Sequence, residues 1–173
     1  MNRQAASRSM QSEPRASRPR FPPSYRIPKT ARGMLSWSFV EERMAKARNY
    51  WVSTTRPDGT PHVRPVDGVW VNGALCFGGA PETRWVRNLT RNPSVTVHLG
   101  STTEVVILEG GAEYVTEAKH PLVAPLMEAS RKKYPEYYSA KVPFRPFWMF
   151  PPRVVFAWTL EQFPSSATRW VIV

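Results

Sequence analysis

Residues 50–77 decide the fold, with the sequence YWVSTTRPDGTPHVRPVDGVWVNGALCF. Two turn signals, Pro57-Asp58-Gly59 and Asn72-Gly73, separate segments that are rich in β-branched and aromatic residues. Asn-Gly between such segments is the strongest short-range signal for a tight hairpin. The stretch therefore predicts three consecutive antiparallel strands, over residues 50–55, 62–71 and 74–78.

The pattern of short strands continues along the chain. Runs of β-branched residues predict four further strands, over residues 95–99, 104–114, 153–158 and 168–173. Seven short strands with few helices favour a mainly β, antiparallel barrel or sandwich over alternating strands and helices. The absence of a Gly-x-Gly-x-x-Gly sequence agrees, because a dinucleotide-binding fold would need that loop.

Three helices are predicted between the strands. The first covers residues 39–48 and follows Ser38-Phe39-Val40-Glu41, which has the spacing of a capping box. The second opens at Pro81. The third lies within residues 117–134, where Pro125 counts against an early start. These helices leave the predicted class mainly β.

Length and composition bound the class of protein. The chain has 173 residues, the size of one domain, and 42% of them are apolar, enough for a packed core. A single cysteine, Cys76, excludes an internal disulfide framework, and three scattered histidines, His62, His98 and His120, exclude the usual Cys/His zinc patterns. No apolar run approaches the roughly 18 residues of a membrane span, and no secretory signal is visible. We therefore expect a cytoplasmic domain without a membrane segment.

The basic charge is concentrated at the N-terminus. The net charge is +11, and residues 1–32 hold eight of the 24 Lys and Arg residues but one of the 13 acidic residues. This segment could contact nucleic acid or an anionic membrane, or it could be a flexible extension that its charge keeps solvated. We favour the extension, because no aromatic residue occurs among the arginines before Phe21. We therefore predict a flexible extension over 1–32 and a folded domain over 33–173, with no nucleic-acid partner.

Three arginines could form a site for an anionic cofactor. No recognisable catalytic motif of nucleophile, base and acid is present, and enzymes without one commonly use a cofactor. Arg64 lies on a predicted strand, whereas Arg84 and Arg87 lie early in the second helix, where free backbone N–H groups favour a phosphate. Thr83 adds a hydroxyl, and Gly78-Gly79 allow a close approach of the backbone. Alternatively, the three arginines are ordinary surface residues that bind no ligand.

The order of these motifs resembles the pyridoxamine 5′-phosphate oxidase-like family. Within residues 51–77 the resemblance rests on the strands and turns described above. It continues through TRWVRNL at 83–89, RNPSV at 91–95, VILEG at 106–110 and ATRW at 167–170. Each piece is unspecific alone, but the ordered series with its spacing is specific, and it covers residues 35–173.

The resemblance implies a split β-barrel homodimer that binds a flavin-type cofactor between its subunits. The residues that it implies for the cofactor site are Arg64, Pro65, Val66, Gly78, Gly79, Thr83, Arg84, Trp158 and Arg169. The implied cofactor is FMN or, alternatively, the deazaflavin coenzyme, because both carry a phosphate beside a ribityl chain. No catalytic side chain and no metal ligand is assigned.

Two departures from the family pattern bear on the reaction. Val105 stands where the oxidase proper has a Gln, and Ser166-Ala167-Thr168-Arg169 replaces the Arg-Leu-x-x-Arg pattern of its substrate-phosphate site. We therefore expect an oxidoreductase that transfers a hydride to or from a small organic substrate, and not pyridoxamine phosphate oxidation itself. The alternative is a non-catalytic flavin- or haem-binding protein, in which His62 or His98 would be the haem ligand.

Overall fold

The computed structural model describes residues 14–138 and 143–172. Three helices and eleven strands occur in this part of the chain. In chain order they are β1 (Arg15–Ser17), α1 (Trp37–Lys46), β2 (Asn49–Thr55), β3 (Pro61–Asp67), β4 (Val69–Val71), β5 (Ala74–Phe77), α2 (Arg84–Arg91), β6 (Ser94–His98), β7 (Glu104–Gly111), β8 (Glu113–Val115), α3 (Val123–Lys133), β9 (Phe147–Phe150), β10 (Pro152–Thr159) and β11 (Thr168–Val171). None of these helices is long and apolar enough to cross a membrane.

The strands form two antiparallel sheets. One has seven strands in the order β1-β11-β10-β7-β6-β2-β3, and the other has four in the order β4-β5-β9-β8. Trp170 and Tyr50 of the first sheet, Phe150 of the second and Met44 of α1 are fully or almost fully buried in one shared core. The predicted mainly β, antiparallel fold is therefore confirmed, whereas ladder hydrogen bonds between the described strands do not close the two sheets into one barrel.

Several predicted boundaries shift for local reasons. The strand predicted over 62–71 breaks at Gly68, where an added Cβ would lie 3.0 Å from Leu75 Cδ1, so the chain turns closely into β4. The strand predicted over 104–114 divides into β7 and β8. Residues 143–152 are rich in proline and aromatic residues, and the sequence predicts no strand there. In the structure β9 forms within this stretch, between β5 and β8. Its partner strands, which are distant in sequence, provide the pairing that local pattern does not reveal.

The helices also begin at residues other than those predicted. Helix α1 starts at Trp37 after Ser36, and the predicted capping box is wrong because Glu41 is engaged elsewhere. Its carboxylate accepts hydrogen bonds from the indole N–H groups of Trp37 and Trp70, at 3.0 and 2.9 Å. Helix α3 contains Pro125 in its first turn, where a backbone N–H has no partner within the helix and its loss is tolerated.

The N-terminal segment joins the larger sheet. Strand β1 pairs antiparallel with β11, so that Ser17 lies opposite Arg169 and Arg15 opposite Val171. The prediction that these residues belong to an extension outside the folded domain is therefore wrong for residues 15–17. A three-residue edge strand has too little periodicity to be recognised from sequence, and β11 supplies the pairing. Residues 1–13 of the predicted extension lie outside the described residues.

Candidate functional site

A large cleft lies between the end of β3, the loop after β5, helix α3 and the segment that leads into β9. Its volume is about 1030 Å³, at the upper end of the range of roughly 300–1,000 Å³ for small-molecule pockets. Its lining includes Pro65, Val66, Gly78, Gly79, Trp85, Leu126, Tyr134, Tyr138 and Phe147. The cleft thus brings together Pro65, Val66, Gly78 and Gly79, four of the nine residues predicted for the cofactor.

The two glycines of the cleft have different roles. A Cβ on Gly79 would lie 2.0 Å from Cζ2 of Trp85, whereas a Cβ on Gly78 would meet nothing within 4 Å. Gly79 is therefore needed for the indole of Trp85 to pack against the loop and form a wall of the cleft. The indole also packs near the ring of Phe77, with 5.7 Å between the ring centroids. Gly78 leaves open space that a ligand can occupy.

One buried histidine, His62 of β3, lies within electrostatic reach of three arginines. The His62 side chain is 8% exposed, and its Nδ1 has no hydrogen-bond partner in the described part of the chain. Burial lowers the pKa of His62, and the positive charges of Arg64, Arg56 and Arg84 lower it further. The side chains of Arg64 and His62 lie on the same face of β3 because they are two residues apart. Arg64 and Arg84 are thus both within electrostatic reach of His62.

The N-terminus of α2 lacks the groups that normally stabilise a helix start. Thr83 precedes the helix, but its hydroxyl donates to the Ala80 carbonyl at 2.8 Å and does not cap the helix. The first turn contains no acidic residue and begins with Arg84, although a cation at this end of the helix dipole is unfavourable. An anion bound here would accept hydrogen bonds from the free backbone N–H groups and offset the charge of Arg84. The residues present therefore fit a phosphate group.

A buried polar network fixes α2 next to β3. Asn88 Nδ2 donates to Thr54 Oγ1 at 3.0 Å, and Thr54 Oγ1 donates to the His62 carbonyl at 3.3 Å. Asn88 and Thr54 are each 3% exposed. Asn88 was not among the predicted site residues, although a buried Asn four residues after Arg84 shares its side of the helix. The network holds α2 next to β3, the strand that carries Arg64.

The remaining predicted site residues, Trp158 and Arg169, lie on other strands of the larger sheet. Trp158 is on β10 and Arg169 on β11, both half-buried. The register of the larger sheet places one row of residues across six strands: Pro65, Trp51, His98, Ile107, Phe156 and Arg169. Five strand spacings separate Pro65 from Arg169, roughly 24 Å along the sheet. Trp158 and Arg169 therefore lie on strands that are four and five spacings away from β3, which carries Arg64.

Burial shifts the pKa of two other side chains at or near the cleft, Cys76 and Lys133. Burial raises the pKa of the Cys76 thiol to about 12, so this cleft residue stays protonated and unreactive at neutral pH. Lys133 donates from Nζ to the Tyr50 hydroxyl at 2.8 Å and to the Gly68 carbonyl at 2.7 Å. Burial lowers the pKa of Lys133 to about 8. These bonds tie the end of α3 to β2 and to the residue that follows β3, and so hold one wall of the cleft.

Comparison with known proteins agrees with this architecture. Residues 38–163 match the family model described as Pyridoxamine 5′-phosphate oxidase. The chain belongs to this family. The resemblance inferred from the ordered motifs is thereby confirmed. No curated protein matches the chain.

Solved structures with the same fold include proteins of different kinds. The conserved hypothetical protein Rv2991 from Mycobacterium tuberculosis has a TM-score of 0.63 and 20% identity, over 75% of this chain and 88% of that one. An F420 reductase has a TM-score of 0.51 and 20% identity, over 66% and 94%. HutZ, the haem storage protein from Vibrio cholerae, has a TM-score of 0.55 and 17% identity, over 70% and 93%. At these identities the likeness establishes the fold alone.

Proposed function

We propose that the protein is an FMN- or deazaflavin-dependent oxidoreductase with a split-barrel fold. The proposal rests chiefly on one observation: the charges of Arg64 and Arg84 both act on buried His62, whose Nδ1 has no partner among the described residues, and Arg84 begins helix α2, which no side chain caps. Val66, two residues after Arg64 and on the same face of β3, lines the cleft, and so does Trp85, which follows Arg84. An anionic group held at the arginines can therefore belong to a ligand whose larger part fills the cleft.

The chain's own residues would divide the work of binding. Arg64 and Arg84 would neutralise the cofactor phosphate, and the first backbone N–H groups of α2 would donate to its oxygens. The Thr83 hydroxyl would join them by exchanging its bond to the Ala80 carbonyl for one to the phosphate. Pro65, Val66, Gly78 and Gly79 would border the ring system and exclude water from it. The bound flavin or deazaflavin would supply the hydride transfer. The protein would then contribute chiefly the positioning of a small organic substrate next to the cofactor.

The two candidate cofactors differ in their negative charge. Either cofactor presents a phosphate, which the arginines can hold. The deazaflavin coenzyme also has a polyanionic tail, and the additional cations Arg56 and Arg87 lie close in sequence to the proposed phosphate site. The fold of the F420 reductase is compatible with this alternative.

We also propose that the protein is a homodimer with the cofactor at its interface. Trp158 and Arg169 lie four and five strand spacings from β3, roughly 19 and 24 Å along the sheet, so a second copy would supply them to a cofactor held at Arg64 and Arg84. The outer face of the sheet provides apolar surface for such a contact, because Trp51 and Val63 are 39% and 45% exposed there. A twofold axis would place the same face against itself and complete two equivalent sites.

The decisive experiment compares ligands that differ at the phosphate. The visible spectrum and mass of any copurifying molecule come first, and the apoprotein is then titrated with FMN, riboflavin and the deazaflavin coenzyme. We expect FMN or the deazaflavin to bind at least about tenfold more tightly than riboflavin, because riboflavin lacks the phosphate that Arg64 and Arg84 would contact. Equal affinity for FMN and riboflavin would contradict the phosphate site.

The same preparation tests the non-catalytic alternative. A haem spectrum in the purified protein, lost on replacing His62 or His98 by Ala, would favour a haem-binding protein. A bound flavin that no hydride donor reduces would favour a non-catalytic flavin carrier. We expect a flavin or deazaflavin and turnover with a reducible organic substrate.

A further inference from the structure

We propose that Arg18 is a positioning residue for the cofactor site. It would act by fixing the β10–β11 loop, residues 160–167, and thereby the backbone that carries Trp158 and Arg169. The inference rests on the proposed function, because it takes these two residues to belong to the cofactor site. The contacts that support the inference are made by the N-terminal segment, residues 15–35, which has no role in the proposed function.

The guanidinium of Arg18 connects the N-terminal segment to the β10–β11 loop. Nη1 donates to the carbonyls of Ser165 and Ala167, at 2.7 and 2.9 Å. Nε and Nη2 donate to the carbonyls of Thr30 and Arg32, at 2.8 and 2.7 Å. The planar fork of an arginine can bind four carbonyls that point in different directions, whereas a lysine ammonium has three donors on one atom. One side chain thus joins two segments that lie about 150 residues apart in sequence.

Backbone pairing continues this contact as far as Arg169. Ser17, which precedes Arg18, lies opposite Arg169 in the β1–β11 ladder. On the other side of the segment, the backbone N–H of Leu35 donates to Thr168 Oγ1 at 2.8 Å. The residue before Arg169 and Arg169 itself are therefore both held by the N-terminal segment.

An aromatic cluster extends the contact to Trp158. The rings of Phe21 and Tyr25 each pack edge-on against Phe163, with 6.2 Å between centroids in both pairs. Phe163 in turn packs edge-on against Trp158 at 6.3 Å. These geometries are favourable for aromatic pairs. The N-terminal segment therefore reaches Trp158 through one intervening ring and reaches Arg169 through its own strand.

Such an arrangement predicts an effect on binding beyond an effect on folding. A loop fixed before the ligand arrives loses less conformational freedom on binding, so affinity depends on the contacts that fix it. Because Arg18 would act partly through Arg169, its contribution should become smaller when Arg169 no longer contributes. A residue that only stabilises the fold would lower affinity equally in both backgrounds.

The test uses the full chain and a double-mutant cycle. Affinities for FMN and for the deazaflavin coenzyme are measured for Arg18→Ala, Arg169→Ala and the double variant. The control is Arg20→Ala, since Arg20 makes no side-chain hydrogen bond within the described residues. We expect Arg18→Ala to weaken binding about tenfold and to have much less effect when Arg169 is already Ala. Arg18→Lys retains the charge but loses the fork, and we expect it to weaken binding in the same direction. Unchanged affinity in Arg18→Ala, or equal losses in both backgrounds, would overturn the inference.

Hydrogen exchange separates this inference from the proposed function. In the ligand-free protein, Arg18→Ala and Arg18→Lys should speed exchange of the backbone amides within 160–169 and leave those of α2 unchanged. If the wild-type protein bound neither cofactor, the proposed function would fail, and this measurement would still decide whether Arg18 fixes the loop. Unchanged exchange within 160–169 would refute the role of Arg18 whatever the cofactor.

Discussion

Replacing Arg84 by Ala should weaken cofactor binding and leave the ligand-free protein as stable as before, or slightly more so. A charge-assisted contact contributes about 1.5–3 kcal/mol. Arg84 is exposed, so solvent screening favours the lower end of that range. About 1.5 kcal/mol corresponds to a loss of affinity of about tenfold.

The opposite effect on stability follows from the position of Arg84. It is the first residue of α2, at the positive end of the helix dipole, and no acidic residue in the first turn compensates for it. Removing this cation should stabilise the ligand-free helix by about 0.3–1 kcal/mol. In a domain of this size that is a rise in Tm of about 1–4 °C. If Arg84 served folding alone, Arg84→Ala would lower the Tm of the ligand-free protein.

The assay combines titration with FMN or the deazaflavin coenzyme, thermal unfolding of the apoprotein, and an NMR titration of His62. Removing Arg84 removes one of the charges that lower the pKa of His62, so this pKa should rise. Arg87→Ala is the matched control in the titration with FMN, which lacks the polyanionic tail, because Arg87 lies on the same helix but is not among the arginines that lower the pKa of His62. Unchanged affinity for both cofactors in Arg84→Ala would refute the phosphate site. A loss of equal size in Arg87→Ala would show that general charge, and not this geometry, attracts the ligand.

Three further predictions concern the cleft, pH and assembly. Gly79→Ala should destabilise the protein by about 1–3 kcal/mol in chemical denaturation, because its Cβ would overlap Trp85, whereas Gly78→Ala should be nearly neutral; equal effects would contradict the packing of Trp85. Between pH 8 and 10 the free energy of unfolding should rise relative to that of Lys133→Met. The pKa of folded Lys133 is lowered to about 8, so the folded protein releases a proton that the unfolded chain keeps until its ordinary pKa of 10.5. Parallel pH profiles would refute this. Cofactor should strengthen self-association in sedimentation at low protein concentration, since a ligand that contacts both chains stabilises the pair, and a monomer with full affinity would exclude the interfacial site.

Local sequence determined the strands near the tight turns and the family. Asn72-Gly73 predicts a hairpin because both turn residues need a positive φ, and they have φ of 50° and 76° in the structure. The ordered motifs from residue 51 onward identified the family, because turn chemistry and strand spacing are local properties. The sequence also predicted Arg84 in the first turn of the second helix, because helix starts depend on neighbouring residues, although the helix begins at Arg84 and not at Pro81.

Only the tertiary structure decided which residues meet. Local periodicity cannot relate the residues joined by the hydrogen bond from Trp70 to Glu41, by the pairing of β9, or by the buried bond between Asn88 and Thr54. The same holds for β1, whose three residues form a strand because β11 offers an open edge. It holds above all for the predicted cofactor residues, since the strand order places Trp158 and Arg169 four and five strands away from Arg64, roughly 19 and 24 Å along the sheet. Sequence patterns specify the conformation of neighbours in the chain, whereas register and packing specify distances between residues far apart in it.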